Sequence, residues 1–202
     1  MSQLSTDQKV GVFRFTTSRL VIAAVLVALT IVLSFVGIPV PNVTGSATVN
    51  HIPTILGSVL EGPLVGMITG LLFGLLSMAS GIVPFTDPLI SVLPRVLIGI
   101  TPWLVYMGIM RGPFSFLRAA RLDVAAGLAG LVGSATNTIF VLGIGVLRGA
   151  FPRAIFFLAL PQAIAEAVLA IIVTIIVTRA VYVIRNRVRF APDRKRREEM
   201  PY

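Results

Sequence analysis

The sequence predicts an all-α polytopic membrane protein, a compact bundle of six transmembrane helices with both termini in the cytoplasm. Three observations predict it. The 202 residues are 56% hydrophobic and only 12% charged, about half the charge fraction of a soluble domain, and the mean hydropathy is +0.95. Long runs carry no formal charge when His51 is counted as neutral, at 20–60, 62–86, 96–110 and 124–147. Each approaches or exceeds the roughly 20 apolar residues that cross a bilayer. Backbone groups in hydrocarbon have no water to bond, so such runs must be helical. Finally, the basic residues cluster at the ends of the runs, as positive-inside orientation requires.

Taken in order, residues 1–19 form a polar, basic N-terminus with no Ala-x-Ala exit after the first apolar run, so no cleavable signal is expected. The membrane domain spans 20–184. Its first helix covers about 20–37 and ends at "GIPVPN", where two prolines break it. A polar loop, "NVTGSATVN", follows. The second helix, about 51–61, is too short to cross unless it begins before Asn50 or tilts. Pro63 suits a first helical position after Gly62, opening a third helix to about Ser80. The loop "GIVPFTDP" leads to a fourth helix, about 89–110, interrupted near Pro94-Arg95. The fifth and sixth cover about 124–147 and 154–184, and 185–202 is a basic, solvated tail.

Lys9, Arg14 and Arg19 precede the first span, Arg111, Arg118 and Arg121 share one loop, and eight basic residues lie from Arg179 to Arg197. The opposite side receives only Arg148 and Arg153. That asymmetry places both termini in the cytoplasm of a multi-pass cell-membrane protein. It also assigns the net charge of +9 to span flanks and anionic lipid of the bilayer rather than to nucleic acid.

The absence of cysteine removes disulfides, thiolate metal sites and thiol catalysis. No HExxH, Ser-x-x-Lys or phosphate loop is present, so neither an enzyme nor an ATP-driven motor is read here. A single histidine makes no metal site, and nothing calls for a cofactor.

Costly polar groups inside spans point to a cavity or a partner. They are His51, Arg95, Asn137, Gln162 and Glu166, with Asn50 and Asp87 at the margins. Gln162 and Glu166 share a helix face, and from a start near Ala154 they lie about 12 and 18 Å deep at 1.5 Å per residue. Arg95 has two readings: an internal ion pair with Glu166, or an anchor for an anionic ligand, its planar fork suiting a carboxylate. His51 reads as a packing or capping residue, or as a ligand contact. Gly62, Gly66, Gly70 and Gly74 form a stripe at every fourth position. It either packs the third helix closely within the bundle or offers a partner a docking face. Ala24 and Ala28 are a weaker pair of the same kind.

The block "HIPTILGSVLEGPLVGMITGLLFGLLS", followed by "DPLISVLPRVLIG" and preceded by a basic N-terminus and Ala24-x-x-x-Ala28, resembles the substrate-binding S component of energy-coupling factor (ECF) vitamin transporters. The similarity covers about residues 15–185. It implies a six-helix bundle that binds a vitamin from outside and topples to release it inward, energised by a transmembrane T subunit and two cytoplasmic ATPases. It further implies that Ala24 and Ala28 contact the T subunit. The ligand would lie among the last three helices and the outer loops. Asn50 and His51 then sit where the first loop enters the second helix, on the binding side, and Glu61 makes the cytoplasmic turn, capping the third helix.

Riboflavin and folate sites favour stacking aromatics, and this chain has one Trp and three Tyr. Arg95 with Asn137 and Gln162 suits a small flexible acid with amides and hydroxyls, and the "NHIP" block looks like the pantothenate-type branch. Pantothenate is therefore the expected vitamin, with riboflavin, folate or a cobalamin-like ligand as alternatives. A ligand-free assembly subunit and a stand-alone facilitator also remain open.

Overall fold

The computed structural model describes residues 17–36, 49–113 and 120–189. "GIPVPN", most of the first loop, Lys9, Arg14, Arg118 and the tail beyond Arg189 lie outside the described residues. The elements among the described residues are helices: α1 (Thr17–Val36), a 3-10 turn (Val49–His51), α2 (Ile52–Glu61), α3 (Pro63–Ala79), α4 (Pro88–Ile98), α5 (Thr101–Arg111), α6 (Arg121–Leu147) and α7 (Ile155–Arg189). Three rods are long and apolar enough to cross a membrane: Pro88–Arg111, formed by α4 and α5, Arg121–Leu147 and Ile155–Arg185. Arg19–Phe35 and Pro63–Ala79 are shorter apolar helices. With α2 this makes six rods and an all-helical membrane bundle.

The short α2 is the hub. Every residue from His51 to Val59 is buried, and α2 touches α1, α3, α5, α6 and α7. Ile52, Ile55, Leu56 and Val59 join Leu26, Ile98, Ala129 and Ala170 in the main apolar core. The element does begin before Asn50, through its 3-10 turn, yet it is a buried plug and not a membrane-length span. Its last turn ends at Gly62, whose φ of 98° is a backbone state that a side chain strongly disfavours. Pro63 can therefore open α3 immediately, with its missing N–H among the groups a helix start leaves unbonded anyway.

The glycine stripe proves to be internal packing. A Cβ on Gly66 would lie 2.6 Å from the Gly99 carbonyl oxygen, one on Gly70 2.1 Å from that of Arg95, and one on Gly74 2.8 Å from the Val92 Cα. Thus α3 rides directly on the backbone of α4, and these three glycines are not a face open to a partner. The docking reading of the stripe falls with that.

Two further expectations are corrected. The interruption in the fourth rod lies at Gly99-Ile100, between α4 and α5, and α4 continues unbroken through Pro94. Pro102 explains the break: it offers no N–H to the Ile98 carbonyl, and its ring crowds that same carbonyl four residues back. The orphan N–H of Trp103 in the first turn of α5 is met instead by Ser58 Oγ at 3.1 Å. Glu61 is not a side-chain cap for α3, which has none. Its buried carboxylate pairs with Arg19 of α1 at 3.4 Å and with Arg185 of α7, tying three helix ends together.

Candidate ligand-binding site

Arg95, Asn137, Gln162 and Glu166 come from three helices and line one cavity, about 380 Å³ of empty space with its mouth included. Helix α6 contributes Asn137 and, one turn on, Val141; α7 contributes Ala159, Gln162 and Glu166 at the three- and four-residue steps of one face. Phe85, from the loop before α4, supplies an aromatic wall.

Arg95 is the most costly group in the site. It is 0% exposed. Its Nη1 donates to the Ile90 carbonyl at 2.6 Å, and its Cζ lies 5.1 Å from the Phe73 ring centre and 5.4 Å from that of Phe85. These distances are in the range of cation–π attraction. Its Nε and Nη2 have no hydrogen-bond partner. Those two N–H groups are parallel and form the side of the guanidinium that grips a carboxylate in a fork. An Arg95–Glu166 hydrogen bond is therefore not made. Instead Glu166 Oε1 accepts from the Gln162 amide at 2.7 Å. The buried amide oxygen of Asn137 also meets no hydrogen-bond partner, leaving an acceptor for a ligand N–H or O–H. A charged fork at one point and amide and carboxylate acceptors elsewhere can hold an acid that also carries hydroxyls or an amide.

The other sequence-derived site residues lie apart from this lining. Asn50 is half-buried and donates to Ser34 Oγ at 3.3 Å, joining the 3-10 turn to α1. His51 is fully buried at the start of the hub helix. Asp87 accepts from Leu89 N at 2.9 Å as the cap of α4 and pairs with Arg148 at 2.9 Å. It thereby links the loop that carries Phe85 to the turn between α6 and α7. Ala24 and Ala28 are exposed on α1.

The Leu89 N–H, followed by Arg148, holds the Asp87 carboxyl below its ordinary value of 3.8. A folded-state pKa below the unfolded one means that this clasp stabilises above the unfolded value and fades as pH falls through the folded one. Its loss is thus confined to strongly acidic solution, below pH 3.8. Near neutrality, Asp87→Ala should lower the melting temperature more than Arg148→Ala, since only the first also uncaps α4. Equal effects in thermal melts would show that the cap contributes nothing.

Phe85 and Thr138 also line the cavity and were not singled out from the sequence. Thr138 follows Asn137 directly. For Phe85 the available signal was its place two residues before the capping Asp87, and Ser91 Oγ donating to its carbonyl holds it in.

Comparison with known proteins agrees with this architecture. The chain is 26% identical over 166 residues to the pantothenic acid transporter PanT of Lactococcus lactis subsp. cremoris (strain MG1363), covering 69% of this chain and 79% of that protein. A family profile described as ECF transporter, substrate-specific component, matches residues 18–178. The chain belongs to this family of substrate-specific components of ECF transporters.

Proposed function

We propose that this protein is the high-affinity pantothenate-binding S component of an ECF-type importer in the cell membrane. It captures the vitamin from outside and delivers it with a T subunit and two ATPases. The observation that carries the substrate is Arg95, a buried residue of the cavity lining whose Nε and Nη2 have no hydrogen-bond partner. Pantothenate brings a carboxylate for that edge, hydroxyls for Glu166 and Asn137, and an amide N–H. The likeness to a pantothenic acid transporter supports the same choice. Mass spectrometry of ligand co-purifying with the detergent-solubilised protein tests it: pantothenate is expected, and a flavin or pterin in its place would overturn the assignment.

The orientation follows from charge. The 111–121 loop and both termini are cytoplasmic, which puts the 80–87 loop that carries Phe85 of the cavity lining on the outer side. A cysteine replacing Ala150 should be labelled by an impermeant thiol reagent in intact cells, whereas one replacing Ala120 should not. Labelling of the second variant sinks this orientation.

On α1, Ala24 and Ala28 stand exposed one turn apart, where small side chains allow another helix close approach. If that helix belongs to the T subunit, replacing both with Trp should abolish complex formation and uptake while leaving ligand affinity within about twofold, as for surface changes remote from a site. A folded double variant that has lost ligand binding would place these alanines in internal packing.

A further inference from the structure

A proline inside an α-helix leaves the carbonyl four residues earlier without its N–H. In α4 the proline is Pro94, and the carbonyl it strips is that of Ile90. A buried carbonyl in a membrane-embedded bundle needs a donor. The donor here is Arg95 Nη1, at 2.6 Å. The very next residue in the chain thus fills the vacancy that Pro94 creates, and both are buried.

The geometry of the guanidinium gives this bond a directional consequence. Tying Nη1 back to the helix leaves the Nε/Nη2 edge as the unbonded side. The Phe73 and Phe85 rings, 5.1 and 5.4 Å from Cζ, flank the same group. We infer that Pro94 is a positioning residue: by freeing the Ile90 carbonyl, it anchors Nη1 and presents the other edge of Arg95 to the ligand's carboxylate. The inference rests on the proposed role of Arg95 as carboxylate anchor. An alanine at 94 would restore an N–H that competes for Ile90. Arg95 would then be released to seek other acceptors, Glu166 in the same cavity among them, in competition with the ligand.

The test uses the full-length protein in detergent, with calorimetric titration of pantothenate and of its alcohol analogue, which has –CH2OH in place of the carboxylate. Pro94→Ala should weaken pantothenate binding by roughly tenfold to a hundredfold, the range that one hydrogen bond to a charged group commands. Affinity for the alcohol should stay unchanged. The ligand-free melting temperature should hold or rise, because alanine is the better helix former; a purely structural role for Pro94 predicts a fall. Equal weakening of both ligands would overturn the inference in favour of a general distortion of α4. So would an unaffected pantothenate affinity in Pro94→Ala while Arg95→Ala loses it, and that result would leave the proposed function standing.

If Arg95→Ala itself binds normally, the carboxylate role falls, and a ligand-free measurement still judges the anchor. In 15N-arginine-labelled protein the Arg95 signals are those lost in Arg95→Lys. Distinct, slowly exchanging Nη signals in the parent should merge in Pro94→Ala. Signals that stay distinct in that variant would overturn the anchor.

Discussion

Arg95→Ala should weaken pantothenate binding by roughly 30- to 4000-fold, the equivalent of about 2–5 kcal/mol for removing one partner of a buried charge pair. The anion would then enter a site that is fully buried around residue 95 with no cation to meet it. Arg95→Lys should recover only part of the loss, since an ammonium is a point charge without the parallel Nε and Nη2 donors. Stability separates this from an internal pair with Glu166. If that pair held α4 and α7 together, Arg95→Ala would lower the ligand-free melting temperature and Glu166→Gln would partly restore it. The unbonded Nε and Nη2 and the Gln162–Glu166 bond argue for the opposite: the fall in ligand-free melting comes from the Ile90 carbonyl left without its donor, Glu166→Gln does not restore it, and the stabilisation normally added by saturating pantothenate disappears. Calorimetry and melting curves on the two single variants and the double measure both. Unchanged pantothenate affinity in Arg95→Ala, with stability restored in the double variant, would end the anchor role.

How much of this was legible in the sequence depends on the range of the interaction concerned. The spans were legible because hydrocarbon imposes its requirement on each segment separately, residue by residue. The turn at Gly62-Pro63 was legible because its chemistry is local. Arg95, Asn137, Gln162 and Glu166 could be selected one at a time, since a polar group inside an apolar helix is costly wherever it faces. Their convergence on one cavity depends on helix rotation, which no single helix specifies. Pro94 was misread as a break for a related reason. A proline interrupts a helix when nothing repairs the carbonyl it strips, and the repair here comes from the end of a long side chain. Glu61 was assigned to a helix terminus next to it in sequence, whereas its partners, Arg19 and Arg185, lie on α1 and α7. Phe85 escaped because an aromatic in an apolar loop is unremarkable until a guanidinium is found beside it.

Gly70→Ala should be among the most destabilising single changes in the protein, and it should also weaken the ligand. Alanine at a helical glycine ordinarily gains up to about 1 kcal/mol from helix propensity, so the sign depends on space. At Gly70 the added Cβ would sit 2.1 Å from the Arg95 carbonyl oxygen, 2.8 Å from its carbon and 3.1 Å from Thr54 Cγ2. Two of those atoms are backbone and cannot rotate away. Helices α3 and α4 must separate, and overpacking of this kind costs about 1–3 kcal/mol or more, exceeding the propensity gain. The displaced segment carries Arg95, so the fork also shifts relative to Asn137 and Gln162 across the cavity. Gly143 provides the control: it lies in α6 with nothing within 4 Å of its added Cβ, and Gly143→Ala should melt at or above the parent temperature. Gly70→Ala should melt several degrees lower, about the shift that 1–3 kcal/mol produces in a domain of this size, with reduced pantothenate affinity in the fraction that folds. If both variants melt alike and bind alike, α3 and α4 are not packed backbone to backbone, and Arg95 is not held from behind by Gly70.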